Sequence, residues 1–158
     1  MELRRFHSAD APACAALFHR AVHEGAAEHY SPAQRAAWAP YATPPREALD
    51  RLAARLSEEL TWVAEEEGAL EGFMSLRIDG YLDMAFVAPE RRRTGLAGQL
   101  YDKIEAEARA LGLIRLTTEA SHLARPFFLK RGWQVDAAQQ VERQSVLIPN
   151  FRMSKALS

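Results

Sequence analysis

The stretch with the clearest chemical potential runs Val87-Ala88-Pro89-Glu90-Arg91-Arg92-Arg93-Thr94-Gly95-Leu96-Ala97-Gly98 and reads as a strand end, a basic turn and a helix start. A helix amino terminus leaves backbone N–H groups unpaired and carries a partial positive charge, which favours anions. Gly95, Ala97 and Gly98 would let a diphosphate approach that backbone closely, with Arg91 to Arg93 as mobile countercharge. The same residues also fit a solvated turn in which the small side chains only ease packing. Neither Gly-x-Gly-x-x-Gly nor a glycine followed by Lys-Ser/Thr is present, so the segment is neither a dinucleotide fingerprint nor a nucleotide P-loop. Two carboxylates have the placement of a general base. Asp83 is the one acid in an apolar strand, and Glu119 lies near the open end of the next. A buried carboxylate often has a raised pKa suited to taking a proton. Asp83 could equally make a structural hydrogen bond to a loop, and Glu119 could be an exposed strand residue. His19 and His23 lie four apart on a helix but lack the glutamate of His-Glu-x-x-His and a third ligand, so no metal is expected. Cys14 falls among apolar helix residues and reads as packing.

These residues need elements to hold them. A short strand from Glu2 to His7 is followed by a helix to about Glu24, with Ala13, Leu17 and Ala21 at helical spacing beside Cys14, Phe18 and Val22. Ser8 and Asp10 are candidate caps for that helix. Ser31-Pro32-Ala33-Gln34 has the pattern of a capped helix start, closed by Ala39-Pro40. A further helix opens at Thr43-Pro44-Pro45, with Ala48, Leu49, Leu52 and Leu56 on one face. Thr61–Ala64 and Gly72–Leu76 read as a hairpin about Glu67-Gly68, and Tyr81–Val87 as a central strand. Leu96, Leu100, Ile104, Ala108 and Leu111 form the stripe of a long helix capped by Gly112. Leu113–Ala120 is a strand, Leu123–Lys130 a short helix, and two strands lie between Trp133 and about Met153. The order is βα(α)βββαβαββ, an α/β chain.

One domain over residues 1–158 is expected from a length near that of a typical single core. Twenty basic and 21 acidic side chains give a net charge of −1, which argues against nucleic acid held by general phosphate attraction. No run approaches the ~18 apolar residues of a membrane span, and Met1-Glu2-Leu3-Arg4-Arg5 lacks the apolar core of a signal peptide, so a cytoplasmic protein with no membrane partner is expected.

Arg92-Arg93-Thr94-Gly95-Leu96-Ala97 resembles the acyl-CoA signature Gln/Arg-x-x-Gly-x-Gly/Ala of the GNAT superfamily of acetyl-CoA-dependent N-acetyltransferases. Downstream, Ala124-Arg125-Pro126-Phe127-Phe128-Leu129-Lys130-Arg131-Gly132-Trp133 resembles the second signature of that family, an alanine, an aromatic and a Gly-aromatic pair. The resemblance implies a mixed, mostly antiparallel sheet whose central parallel pair splays around coenzyme A, with helices on both faces. It implies acetyl-CoA as cosubstrate, with the pantetheine arm against Ala85, Phe86 and Val87. The diphosphate would rest on Arg92, Arg93, Thr94, Gly95, Leu96, Ala97 and Gly98. A backbone N–H near Val87 would serve the oxyanion if the strand carries the bulge common in the family. Asp83 or Glu119 would be the base, and Ser121 could bind the sulfur or instead cap the helix containing Leu123. Phe128 occupies the position where the family often has a tyrosine acid beside the coenzyme, which puts that acid in doubt. The amino-terminal helices would offer His29, Tyr30, Trp38 and Tyr41 to an acceptor, or those residues would cover a core. The implied activity is acetyl transfer to a primary amine of a small molecule or exposed protein amine. The alternative is an acyl-CoA-binding or sensing module without transfer. The two carboxy-terminal strands could pair across a homodimer.

Overall fold

The computed structural model describes residues 1–157. In chain order it contains β1 (Glu2–Arg5), α1 (Ala11–Arg20), α2 (Pro32–Trp38), α3 (Arg46–Glu58), β2 (Leu60–Glu66), β3 (Ala69–Leu76) and β4 (Tyr81–Val87). There follow α4 (Leu96–Ala110), β5 (Arg115–Ala120), α5 (Arg125–Lys130), β6 (Gln134–Arg143) and β7 (Val146–Ala156). The seven strands form one sheet in the order β1-β2-β3-β4-β5-β7-β6. Every neighbouring pair is antiparallel except β4 and β5.

That parallel pair is short. Its register holds only Tyr81 opposite Thr117 and Leu82 opposite Thr118. Beyond Leu82 the β5-facing edge of β4 has no partner strand, so the two strands diverge and leave backbone groups open. β5 instead continues alongside β7 to Ala120.

Opposite Ser75 and Leu76 the β3–β4 register skips Asp83, because Leu76 faces Leu82 while Ser75 faces Met84. An extra residue reverses the alternation of the strand. Leu82, Ala85 and Val87 therefore pack on the α4 side of the sheet, and Met84 and Phe86 on the side of α1 and α3. The bulge lies four residues before Val87, which is itself in register with Gly72, so the expected oxyanion N–H near Val87 is not at a bulge. Met84, just past the bulge, donates its N–H to Ser75 Oγ at 3.2 Å.

Each sheet face is covered by the helices whose apolar stripes require it. Leu96, Leu100, Ile104 and Ala108 of α4 pack on Leu82, Leu116 and Met153. The Tyr101 hydroxyl in the same cluster accepts from Trp133 Nε1 at 2.9 Å and donates to Glu105 at 2.8 Å. On the other face Cys14 and Leu17 of α1 and Leu56 of α3 meet Val63, Phe73 and Met84. Cys14 is fully buried, and burial pushes its thiol up to about 12, which fits packing rather than nucleophilic chemistry. Ile104 is also fully buried. Ile104→Ala is expected to lower unfolding stability by about 2–5 kcal/mol, the range for a truncated core aliphatic, seen in urea titration as a lower midpoint at unchanged slope.

Two local readings change. β1 stops at Arg5 rather than His7, because the Asp10 carboxylate accepts the His7 N–H at 2.8 Å and folds the chain into a tight turn. The other partner of Asp10 is Arg4, so it makes no side-chain cap for α1. The first helix runs as α only to Arg20 and widens into a π-turn at Ala21–Gly25. That turn presents the carbonyls of His23 and Gly25 to Arg35 and Arg92.

Candidate active site

The basic turn after β4 runs into a glycine-capped helix start. Gly95 caps α4 with φ +88°, a left-handed conformation open to glycine at little cost, and an added Cβ there would meet nothing within 4 Å. The ladder closes from Gln99 N–H onto Gly95 O at 3.1 Å, so the amides of the first turn face outward. Gly98 lets the Arg131 guanidinium lie against that turn, where a Cβ would collide with it. Arg131 pairs with Asp102 at 2.6 Å and sits over the Tyr101 and Phe127 rings. Sequence reading missed Arg131, which lies outside the glycine motif. Of the three consecutive arginines, Arg91 is not mobile countercharge: it is paired with Glu66 and with Glu71, both on the β2–β3 hairpin. Arg92 donates to Gly25 O at 3.4 Å, and Arg93 is exposed at φ +62°.

Behind the divergence of β4 and β5 lies a cleft of about 610 Å³. Its apolar wall includes Phe18, Tyr30, Trp38, Tyr41 and Phe86. Phe18 meets Phe86 edge-on at 4.9 Å, and Tyr30 meets Trp38 at 5.4 Å. Tyr30 is buried, donating to Pro149 O at 2.8 Å and accepting the His122 N–H at 3.0 Å. Trp38 is half-buried and Tyr41 exposed at the rim. His29, grouped with them from sequence, is not brought to the cleft: its exposed ring stacks on His122 at 5.8 Å. His19 and His23 stack at 4.1 Å, with His23 Nε2 on Ala39 O, and among the described residues no three side chains cluster as metal ligands.

Asp83 and Glu119 both line the cleft, in different states. The Asp83 side chain, 8% exposed, meets Arg55 of α3 in a two-point pair at 2.6 and 2.5 Å. Burial works to raise its pKa, but the Arg55 hydrogen bonds, the neighbouring Glu59 and the charge of Arg77 outweigh it and hold the carboxyl below the ordinary range. The raised value expected of an acid in an apolar strand is therefore not found at Asp83. Among the described residues Glu119 is bound by neutral donors alone, the Tyr81 hydroxyl at 3.1 Å and Gln139 Nε2 at 2.6 Å. Ser121 also lines the cleft, and its Oγ accepts the Ala124 N–H at 3.1 Å in the turn ahead of α5; it is not the cap of the helix as weighed from sequence, because α5 begins at Arg125 with Ala124 as its N-cap. Phe128 is 2% exposed and packs among Tyr101, Phe127 and Trp133.

The raised carboxyl is Glu59, which follows α3 directly and which sequence reading did not single out; the signal was an acid wedged between a helix end and an apolar strand. It lies 3.9 Å from Arg55, with Oε1 buried and unpartnered. Burial first, and then the adjacent Asp83, push it up to about 7. A group raised on folding stabilises the fold while protonated, and that contribution fades as pH rises through the folded value. Thermal melts of wild type and Glu59→Gln should nearly coincide at about pH 5. At about pH 8 the variant should melt higher by several degrees, since ~1 kcal/mol moves a domain of this size by ~2–4 °C.

A glycine-capped helix start, an open strand edge and a cleft on its far side form the arrangement expected of an acyltransferase that brings a coenzyme thioester to an acceptor. The chain belongs to the GNAT family of acetyltransferases and is an acetyl-CoA-dependent N-acetyltransferase: the family model described as an acetyltransferase (GNAT) domain matches residues 26–157. The uncharacterized N-acetyltransferase YafP of Escherichia coli K12 is 36% identical over 154 residues, covering 97% of this chain and 94% of that protein. The crystal structure of a GCN5-related N-acetyltransferase (aminotransferase, class II) from Rhodopseudomonas palustris superposes with a TM-score of 0.91 at 34% identity, covering 99% and 95% of the two chains. The PaiA N-acetyltransferase of Thermoplasma acidophilum in complex with coenzyme A shares the fold with a TM-score of 0.76 at 18% identity, covering 99% and 98%. The residues present fit acetyl-CoA: Gly95 keeps the helix start bare, and β4 offers an unpaired edge from Asp83 to Val87.

Proposed function

We propose that the protein acetylates a primary amine, of a small molecule or an exposed protein amine, by direct attack, with the acceptor held in the aromatic cleft. The observation that carries this reading is the placement of Glu119, a carboxylate with no cationic partner, in a cleft that opens onto the divergence of β4 and β5. When bound, acetyl-CoA supplies the acetyl group as a thioester. An N–C bond forms, the C–S bond breaks, and the proton lost by the amine goes to Glu119 or a water it holds. Glu119 suits this role better than Asp83, because Arg55 already neutralises Asp83 and lowers its affinity for a proton. The Glu119 carboxylate also attracts the acceptor ammonium, and the aromatic wall favours an aromatic body. Ala85, Phe86 and Val87 present the open strand edge, and the amides from Arg92 to Gly98 the anion cradle. Ser121, its oxygen engaged by Ala124, retains an O–H to donate into the cleft. Phe128 offers no hydroxyl acid, which this chemistry tolerates because a thiol with a pKa near ~8.5 leaves readily as thiolate.

Coenzyme A release measured across a panel of amines and amine-bearing peptides tests the reading. At least one acceptor should accelerate release well above the acceptor-free rate. Acetyl-CoA binding without acceleration by any acceptor would instead favour a sensing module.

A further inference from the structure

The charge around the cleft says more about the acceptor than that it is an amine. Five charged side chains line the cavity: Arg51, Arg55, Asp83, Glu119 and Arg143. Arg55 and Asp83 cancel in their two-point pair. Glu119, with Arg152 opposite it on β7, is held by Tyr81 and Gln139 and forms no ion pair among the described residues. Against it stand two uncompensated positive charges. Neither Arg51 nor Arg143 forms an ion pair among the described residues, and Arg143 donates only to its neighbour's Glu142 carbonyl at 3.1 Å. They come from different walls, Arg51 from α3 and Arg143 from the end of β6.

Both guanidiniums are exposed and line one concave site, where an entering anion would be attracted to each of them. The planar fork of arginine suits a carboxylate or phosphate in particular. Asn150 of β7 adds a second polar request. It lines the same cleft, and its Oδ1 is a buried acceptor with no partner, which an amine N–H would satisfy.

We infer that the acceptor is a small amine that also carries an acidic group, with the amine at Glu119 and Asn150 and the acid held by Arg51 and Arg143. This rests on reading the cleft as the acceptor site. A lysine side chain on a protein surface brings no such acid and leaves both arginines unmet. An aromatic or aliphatic body between the two charged ends would lie on Tyr30, Trp38 and Phe86.

Matched amines with and without the acid test this: phenylalanine against phenethylamine, β-alanine against propylamine, and phosphoethanolamine against ethanolamine. The first two pairs report a carboxylate and the third a phosphate. In at least one pair the acid-bearing member should show a kcat/KM about tenfold or more above its partner, as expected for charge-assisted hydrogen bonds. That preference should shrink toward one in Arg51→Gln and Arg143→Gln, and invert in Arg51→Glu. Calorimetric binding of the preferred acceptor without acetyl-CoA should weaken in the same order, a readout independent of turnover. Amines accepted with no acid preference, or a preference unchanged in all three variants, overturns the inference and leaves the proposed function standing. If none of a broad amine panel accelerates coenzyme A release, the proposed function fails and the inference falls with it.

Discussion

Replacing Glu119 by glutamine is expected to lower kcat/KM for the preferred amine by ~10²–10⁴-fold, the usual range for removing a positioned general base. Glutamine keeps the size of the side chain and its hydrogen bond from Tyr81, so unfolding stability should change little. Acetyl-CoA affinity should also be retained, since Gly95, where the diphosphate is proposed to rest, lies on another element. The basic limb of the pH–rate profile separates two ways of losing activity. If Glu119 takes the proton, the variant should recover as pH rises and the amine loses its proton in solution. Asp83→Asn supplies the contrast. It leaves the Arg55 guanidinium with only the more distant Glu59 as an acidic neighbour, so it should lower stability as well as rate. Activity unchanged in Glu119→Gln and lost in Asp83→Asn, with stability intact, would assign the base to Asp83.

Gly95→Trp is expected to weaken acetyl-CoA binding at least ~100-fold, about 2.8 kcal/mol at ~1.4 kcal/mol per decade. The residue sits at φ +88°, so any side chain there is strained, and nothing within 4 Å of the new Cβ obstructs the indole on the protein side. The ring is free to occupy the space in front of the first α4 amides. Gly95→Ala carries the same backbone strain with a far smaller side chain. The difference between the two variants isolates the steric block from the strain. Thermal stabilisation by saturating acetyl-CoA, worth ~2.7 kcal/mol at one hundred times Kd for the wild type, should largely persist in the alanine variant and vanish in the tryptophan variant. Persistence of the full shift in a folded Gly95→Trp would move the diphosphate away from the α4 start.

Much of the architecture was readable along the chain because its signals are local. The Ser31-Pro32-Ala33-Gln34 start is present as a reciprocal cap, with Gln34 N–H on Ser31 Oγ at 3.1 Å and Ser31 N–H on Gln34 Oε1 at 2.9 Å. The stripe from Leu96 to Ala108 became the buried face of α4. What local pattern could not supply was parity. A run as apolar as Tyr81–Val87 has no alternation to read, so the bulge that turns Asp83 and Met84 against the expected phase becomes visible only when β3 pairs with it. The same limit governed the aromatic wall. Tyr30, Trp38 and Tyr41 reach the cleft, while His29, beside Tyr30 in sequence, turns outward onto His122.

Electrostatic state was the least legible property, because it depends on who faces whom. Three consecutive arginines look alike in sequence, yet Arg91 is spent on Glu66 and Glu71 while Arg92 reaches Gly25 and Arg93 points to solvent. Asp83 looked like the acid with a raised pKa, and its partner Arg55 lies 28 positions away. The near-neutral carboxyl is Glu59, which burial and Asp83 together produce. By itself the sequence determined the family, the order of elements and the glycine-capped start of α4, since these follow from short-range spacing, capping and backbone freedom. Tertiary structure decided which charges remain uncompensated in the cleft, because compensation is set by contacts between elements far apart in the chain.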